Sequence, residues 1–193
     1  MRYGAGIKLF ILGERLRERF DVLAIARDDL ARLRDETGQP ATLSALVEDQ
    51  VVVLELIQGQ SFVNLATQPG TVLPLHASAH GKVALAFGPA DLLSRCLARP
   101  LKAWTPHTVC TRAGLERAVA QVRSRGWATS PNQVLPGING LAAPVFGHSG
   151  AYAGAIAVAG TVQTVPGSPP PELISAVTRA ASQVSRHLGH SAK

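Results

Sequence analysis

Two short connections between extended segments constrain the fold more than any other feature of this sequence. The segments on either side of each connection are apolar and of strand length: 41–47 and 51–57 around residues 48–50, and 141–146 and 152–159 around residues 147–150. Parallel strands need a connection of a dozen or more residues, whereas antiparallel strands can be joined by a tight turn. Both pairs are therefore predicted to be antiparallel hairpins within an antiparallel sheet.

Apolar residues at helical spacing predict the remaining architecture. A first helix is expected over residues 5–19 and a second from Asp21 to a stop at Thr37-Gly38, with further short strands at 62–66 and 127–130. A loop over residues 73–82 should enter a helix that ends at Gly88-Pro89, and later helices are expected at 89–97, 111–126 and 171–188. Runs of strands and runs of helices in this order predict an α+β fold with helices on the faces of one sheet.

Composition excludes several classes of protein. Hydrophobic residues make up 46% of the chain and charged residues 17%, which is incompatible with a disordered chain. The longest apolar runs fall far short of the ~20 residues of a membrane span. Two cysteines, Cys96 and Cys110, are too few for a disulfide scaffold or a four-cysteine zinc site. Glu14 and Glu18 set the N-terminal segment apart from a targeting peptide, so a cytoplasmic protein without a membrane partner is expected.

The net charge of +6 raises the question of direct binding to nucleic acid. The basic residues are scattered, and no block of four or more lysines or arginines occurs. This distribution favours solvated helix faces over a track for phosphates.

Several motifs then follow one another along the chain. Residues 3–13 match Y-x-x-G-x-x-L-x-x-L-G, residues 74–86 match P-L-H-A-[ST]-x-x-G-K-x-x-L-A, and residues 137–145 match G-[VIL]-x-x-[IVL]-A-A-P-V. With these motifs the chain resembles, over nearly its whole length, the effector-binding domain of bacterial transcriptional regulators of the IclR family. The resemblance implies a GAF-like fold with a roughly six-stranded antiparallel sheet, a small-molecule sensor, and assembly into homodimers or homotetramers.

The resemblance also implies a division of the chain. Residues 1–20 would be the linker helix that leads from a winged helix-turn-helix domain absent from this sequence, and residues 21–193 would be the effector-binding domain. Operator DNA would be contacted only through that absent domain.

A ligand pocket is implied between the sheet and the loop that enters the helix after residue 78. Its apolar wall would comprise Phe62, Leu65, Leu73 and Ile138. The backbone N–H groups of Ala79 and His80 would face the ligand, since the first N–H groups of a helix lack partners within the helix and attract a carboxylate.

Four positions depart from the members of the family that sense small oxo-acids. Where those sensors have an aspartate, a cysteine and two serines, this chain has Ser130, Gly140, Ala157 and Ala159. A small polar ligand would lose hydrogen bonds worth about 1 kcal/mol each, whereas an apolar ligand would gain about 25 cal/mol per Å² buried. We therefore expect a medium-sized apolar or aromatic effector. If the effector is an acid, its carboxylate is expected to be assisted also by Ser130 or the His80 ring.

Other chemistries are weaker readings of the same residues. His76 and His80 have the spacing of metal ligands on a helix, but no third ligand is evident, so no metal and no cofactor is expected. His107 and Cys110 form an H-x-x-C pattern in which a free cysteine is commoner than a nucleophile. The chain is expected not to be an enzyme; the alternatives left open are a small enzyme using His80, His107 or Cys110, and a dimerisation domain without a ligand.

Overall fold

A computed structural model describes residues 21–59 and 67–191. The helix expected over residues 5–19, the strand expected over 62–66, and the pocket residues Phe62 and Leu65 lie outside this part of the chain. The described elements, in chain order, are α1 (Asp21–Thr37), β1 (Ala41–Val47), β2 (Gln50–Ile57), β3 (Val72–Leu73), α2 (Ala79–Phe87), α3 (Leu92–Leu97), α4 (Arg112–Arg125), β4 (Ala128–Thr129), β5 (Ile138–Phe146), β6 (Tyr152–Thr161) and α5 (Pro171–His187).

The strands form one six-stranded antiparallel sheet in the order β3-β2-β1-β6-β5-β4. Both predicted hairpins, β1–β2 and β5–β6, are present, and β1 joins them by pairing with β6, with Leu43 opposite Ile156. The helices cover the two faces of the sheet, so the predicted α+β class and its GAF-like, six-stranded sheet are confirmed.

Two strands begin or lie elsewhere than the sequence predicted. Val72 and Leu73 pair with β2 where a loop was expected, because a two-residue strand followed by Pro74 carries no periodic signal. β5 begins at Ile138, three residues before the predicted start at Leu141. Pro144 is tolerated within β5 because β4 pairs only with Leu141 and Ala142, which leaves the backbone at Pro144 on an edge.

Side chains alternate between two cores across the sheet, as the pleat of a strand requires. On one face, Leu141, Ile156 and Val158 pack against α1 and α5. On the other face, Ala142, Ala155 and Ala157 pack against α2, α3 and α4. The small residues of β6 were predicted to leave room for a neighbour or a ligand, and here they let α2 lie close to the sheet.

The ends of α1 and α2 and both ends of α4 follow the predicted signals, whereas α2 begins at Ala79, within the predicted loop 73–82, and α3 begins at Leu92 rather than at residue 89. The Thr111 hydroxyl accepts a hydrogen bond from the Gly114 N–H at the start of α4, and Gly126 ends that helix in the left-handed conformation with φ of 81°. Within residues 21–59 and 67–191, none of the helices has the length and apolarity to cross a bilayer.

Candidate ligand-binding site

A cavity of about 460 Å³ lies at the start of α2, against the face of the sheet that α2 covers. Strands β1, β5 and β6 contribute its floor, and the loops 101–110 and 130–137 contribute part of its wall. Eight of the residues singled out from the sequence line this cavity: Leu73, Ala79, His80, Ser130, Ile138, Gly140, Ala157 and Ala159. The segments that supply them are far apart in sequence, and the sheet brings them together.

Several residues that line the cavity were not predicted from the sequence. They are Thr42, Leu56, Thr67, Thr71, Val72, Pro74, Ser78, Trp104, Val134, Leu135, Asn139 and Val158. The inward position of Thr42 follows from the alternation of β1, which was available in the sequence. Trp104 lies in an irregular loop, where no periodic pattern indicates which side chains point inward.

Two backbone N–H groups in the first turn of α2 are available to bind a ligand. Ser78 caps the helix: its hydroxyl accepts from the Gly81 N–H at 2.9 Å and its carbonyl accepts from the Lys82 N–H. The N–H groups of Ala79 and His80 have no hydrogen-bond partner among the residues the structure describes. Unpaired N–H groups at a helix start favour a carboxylate, so the expected carboxylate site has the right chemistry here.

Gly81 and Lys82 connect this turn to neighbouring segments, Gly81 by close packing and Lys82 by a hydrogen bond. A Cβ atom on Gly81 would lie 2.6 Å from the carbonyl carbon of Leu75, which is backbone and cannot move aside. Lys82 is 4% exposed, and its ammonium donates to the Thr129 carbonyl at 3.0 Å. Burial, with a smaller contribution from the Arg125 charge, lowers the pKa of Lys82 to about 8.

The His80 ring is fixed beneath the cavity by two hydroxyls of β1. Its Nε2 lies 2.9 Å from Thr42 Oγ1 and its Nδ1 lies 2.7 Å from Ser44 Oγ. Thr42 donates its own hydrogen to the Ala157 carbonyl, so it accepts from Nε2–H, and Nδ1 accepts from Ser44. Burial lowers the pKa of His80 to about 4, and the ring is neutral at pH 7. Both ring nitrogens are thus engaged within the protein, so neither is free to assist a ligand carboxylate as the ring was expected to do.

Ser130 keeps a free hydroxyl at the cavity. Its backbone N–H donates to the Asn139 side chain at 2.8 Å, and the Asn139 amide in turn donates to the carbonyls of Val165 and Pro166. The Ser130 Oγ has no protein partner within the described part of the chain. Of the two side chains expected to assist a ligand carboxylate, Ser130 is the one whose polar atom is free, and it is held in place through its backbone.

The cavity carries no formal charge on its described lining, which contains neither Asp, Glu, Lys nor Arg and whose histidine is neutral. Its mouth is apolar: Val72, Trp104 and Leu135 are 53%, 46% and 55% exposed. Apolar walls with a few hydroxyls and N–H groups suit a ligand that buries an apolar or aromatic body.

The residues considered for metal binding or catalysis are not brought together. His76 donates from Nε2 to the Lys102 carbonyl at 2.9 Å, and His80 is bound to Thr42 and Ser44. His107 and Cys110 are exposed and lie outside the cavity lining. Among residues 21–59 and 67–191, no group of three His, Cys, Asp or Glu side chains could hold a metal ion.

Comparison with known proteins gives a consistent match. The family model described as "Bacterial transcriptional regulator IclR C-terminal" matches residues 15–186. The glycerol operon regulatory protein of Streptomyces griseus is 34% identical over 193 residues, covering 97% of this chain and 74% of that protein. The transcriptional repressor IclR of Escherichia coli is 25% identical, covering 97% of this chain and 69% of that protein.

Solved structures agree with this match. The crystal structure of Thermotoga maritima IclR superposes with a TM-score of 0.86 at 27% identity, covering 98% of this chain and 77% of that one. An IclR homolog from Microbacterium hydrocarbonoxydans, complexed with 4-hydroxybenzoate, superposes with a TM-score of 0.85 at 22% identity and shares the fold; 95% of this chain and 74% of that one are covered.

Proposed function

The chain belongs to the bacterial transcriptional regulators of the IclR family, and we propose that it binds a small-molecule effector in the cavity at the start of α2. Its role is regulatory rather than enzymatic. The observation that supports the proposal is the cavity itself, about 460 Å³ in volume and lined by residues of the sheet, of α2 and of two loops. Ligand pockets of this type range over about 300–1,000 Å³.

The proposed effector is an apolar or aromatic metabolite, with an acid group as an option. An apolar cavity of roughly 150 Å³ holds benzene, so this cavity has room for a substituted aromatic ring. Gly140, Ala157 and Ala159 supply no polar side chain to a small oxo-acid. The Microbacterium homolog is complexed with 4-hydroxybenzoate, an aromatic acid of this class, which makes that compound a suitable probe.

An acid group would meet the start of α2. The free N–H groups of Ala79 and His80 would hold the carboxylate, with the Ser130 hydroxyl assisting. Because the described lining has no arginine or lysine, the helix N-terminus would be the source of positive potential within that lining. Such a site would favour a monoanion or a neutral ligand over a dianion.

The effector would act on a larger assembly. We propose that the chain forms homodimers or homotetramers in the cytoplasm, and that residues 1–20 link it to a DNA-binding domain outside this sequence. An effector that binds one arrangement of the assembly more tightly shifts the population toward it and so changes operator binding.

Filling the cavity tests the proposal. Gly140 has room for a side chain, because a Cβ atom there would lie 3.5 Å from the Ala79 Cβ and 3.7 Å from the Ser130 Oγ, which are ordinary contacts. Gly140→Val should therefore fold and project its methyl groups toward the cavity. Gly147→Val is the matched control, since a Cβ atom at Gly147 has its nearest neighbour at 4.0 Å and that residue lies outside the cavity.

The measurements are native mass spectrometry of the purified chains and thermal shift with 4-hydroxybenzoate. We expect an organic mass on the wild type and on Gly147→Val, or stabilisation of both by the probe, and neither effect on Gly140→Val. A ligand that Gly140→Val retains would place binding elsewhere. No bound mass and no thermal shift in any chain would favour a dimerisation domain without a ligand. The same spectra report the oligomeric state.

A further inference from the structure

The loop between α3 and α4 places an aromatic ring on the cavity. Trp104 lines the cavity and is 46% exposed at its mouth. The Lys102 ammonium lies 4.2 Å from the centroid of the indole, a distance at which a cation is attracted to the ring. Loops of this kind are mobile unless contacts hold them in place. The hydrogen bonds of this loop therefore decide whether Trp104 has a fixed position on the wall of the cavity.

Two attachments tie this loop down around Trp104. The His76 ring donates to the Lys102 carbonyl at 2.9 Å, two residues before Trp104. The Thr108 hydroxyl accepts from the Trp104 N–H at 3.0 Å and from the Thr105 N–H at 2.9 Å. The backbone of Trp104 is thus fixed directly by Thr108, and the residues before it are fixed by His76.

The loop is also joined to the opposite side of the mouth. Thr105 and Thr108 donate through their hydroxyls to the carbonyls of Asn132 and Gln133, at 2.5 Å and 2.7 Å. The next residues along that second loop, Val134 and Leu135, line the same cavity. The two loops therefore form one wall, which we call the threonine clasp after Thr105 and Thr108.

The second loop is closed on itself. Asn132 adopts a positive φ of 58°, and its side chain accepts from the Gly137 N–H at 2.7 Å while its backbone N–H donates to the Ile138 carbonyl. Asparagine is among the residues that adopt this conformation most readily. The clasp therefore attaches Trp104 to a turn with its own hydrogen bonds, and the wall is held before any ligand arrives.

We propose that Trp104 is a specificity-determining residue of the cavity, which selects flat aromatic ligands over small aliphatic ones, and that Thr108 is the positioning residue that holds it. This inference rests on the proposed function. An indole that is already held in place loses little freedom on binding, and a ring pair gains affinity beyond the area it buries. A small aliphatic ligand held at the start of α2 gains nothing from the indole.

Affinities for two probes test the role of Trp104. We would measure 4-hydroxybenzoate and pyruvate by calorimetry against the full chain. Trp104→Ala should weaken the binding of 4-hydroxybenzoate about three- to tenfold and that of pyruvate by less than about twofold, in line with the strength of aromatic pairs. Trp104→Phe keeps a ring and should restore most of the affinity.

Fluorescence gives an independent readout, because the chain has only two tryptophans. Trp127 stacks with Arg125, whose guanidinium carbon lies 3.7 Å from the ring centroid, and lies outside the cavity. Addition of 4-hydroxybenzoate should change the emission of Trp127→Phe, which retains Trp104, and leave that of Trp104→Phe unchanged.

Thr108 is tested by a pair of variants. Thr108→Val has the same shape without the hydroxyl, and Thr108→Ser keeps the hydroxyl. The ratio of interest is the dissociation constant of pyruvate divided by that of 4-hydroxybenzoate. In Thr108→Val this ratio should fall toward the value for Trp104→Ala, and in Thr108→Ser it should stay at the wild-type value. A merely structural role would lower the melting temperature of Thr108→Val and leave this ratio unchanged.

The outcomes separate this inference from the proposed function. If 4-hydroxybenzoate binds the wild type and is blocked by Gly140→Val, but Trp104→Ala binds it as tightly, the inference is overturned and the effector site stands. Equal losses for both probes in Trp104→Ala would also overturn it, since the ring would then close the mouth without selecting. If the wild type binds neither probe, or pyruvate alone, the aromatic ligand class fails and the inference fails with it.

Discussion

His80 makes the stability of this domain depend on pH in a way that can be calculated. Its ring is buried between Thr42 and Ser44, and burial lowers its pKa from 6.5 to about 4. Between these two values the unfolded chain binds a proton that the folded chain does not. Stability is therefore lost as the pH falls below 6.5, and His80 contributes no such loss above it.

The expected loss follows from proton linkage. With pKa values of 6.5 and about 4, the free energy of unfolding should fall by about 2 kcal/mol between pH 7 and pH 5 on account of this one ring. For a domain of this size that corresponds to a decrease of roughly 4–8 °C in melting temperature. Protonation also disrupts the contacts, because Nδ1–H would need Ser44 to accept and Ser44 would lose its own acceptor.

The assay is urea unfolding at pH 7, 6 and 5. His80→Gln does not titrate in this range, and its amide can still donate to Thr42 and accept from Ser44. We expect the wild type to lose about 2 kcal/mol more than His80→Gln over this interval. His148→Gln, at an exposed position of the turn between β5 and β6, is the matched control and should behave like the wild type. Equal losses in the wild type and His80→Gln would refute the assignment of a buried neutral ring.

Two further predictions concern the first turn of α2. Gly81→Ala should lower the free energy of unfolding by about 1–3 kcal/mol, since its Cβ would lie 2.6 Å from the Leu75 carbonyl carbon, whereas Gly140→Ala should be neutral; urea unfolding compares them. For Lys82, whose pKa of about 8 lies below its value of 10.5 in the unfolded chain, stability should rise by about 2 kcal/mol from pH 8 to pH 10. Lys82→Met should abolish that rise, and a rise of equal size in the variant would contradict the buried position of the ammonium.

The fold was predictable where the signal is local. Each hairpin combines two strands and its turn within about twenty residues, so apolar patterning and Gly147 to Gly150 were enough to indicate it. The pairing of β1 with β6 has no local signal, and the sequence did not predict it: the family resemblance implied a six-stranded antiparallel sheet without an order of strands. Val72 and Leu73 were missed as a strand because two residues cannot display a period of two.

The candidate site was predictable to the extent that its residues lie on regular elements. Gly140, Ala157 and Ala159 face the cavity because strands alternate, and Ala79 and His80 line it because α2 begins there. The role of the His80 ring depends on Thr42 and Ser44, which lie more than thirty residues earlier in the chain. From the sequence, the ring was expected, as an alternative to Ser130, to assist a ligand carboxylate.

The position of Trp104 on the cavity could not be predicted from the sequence for a related reason. Its position depends on hydroxyl groups of its own loop that bond to carbonyl oxygens some 25 residues later, at Asn132 and Gln133. Any residue supplies a backbone carbonyl, so the type of residue at those positions carries no information about the contact. Only the docking of the two loops reveals which side chains face the cavity.

The pairing of β1 with β6 also affects the rate and the order in which the chain folds. Leu43 lies opposite Ile156, so the central pair of the sheet joins residues more than a hundred positions apart. Contacts of such long range slow folding, because a large loop must be closed before they stabilise anything. During synthesis the β1–β2 hairpin leaves the ribosome with one edge unpaired until β6 has been made. An exposed strand edge is a template for pairing with another chain, so the nascent domain is most prone to association in the interval between the synthesis of these two strands.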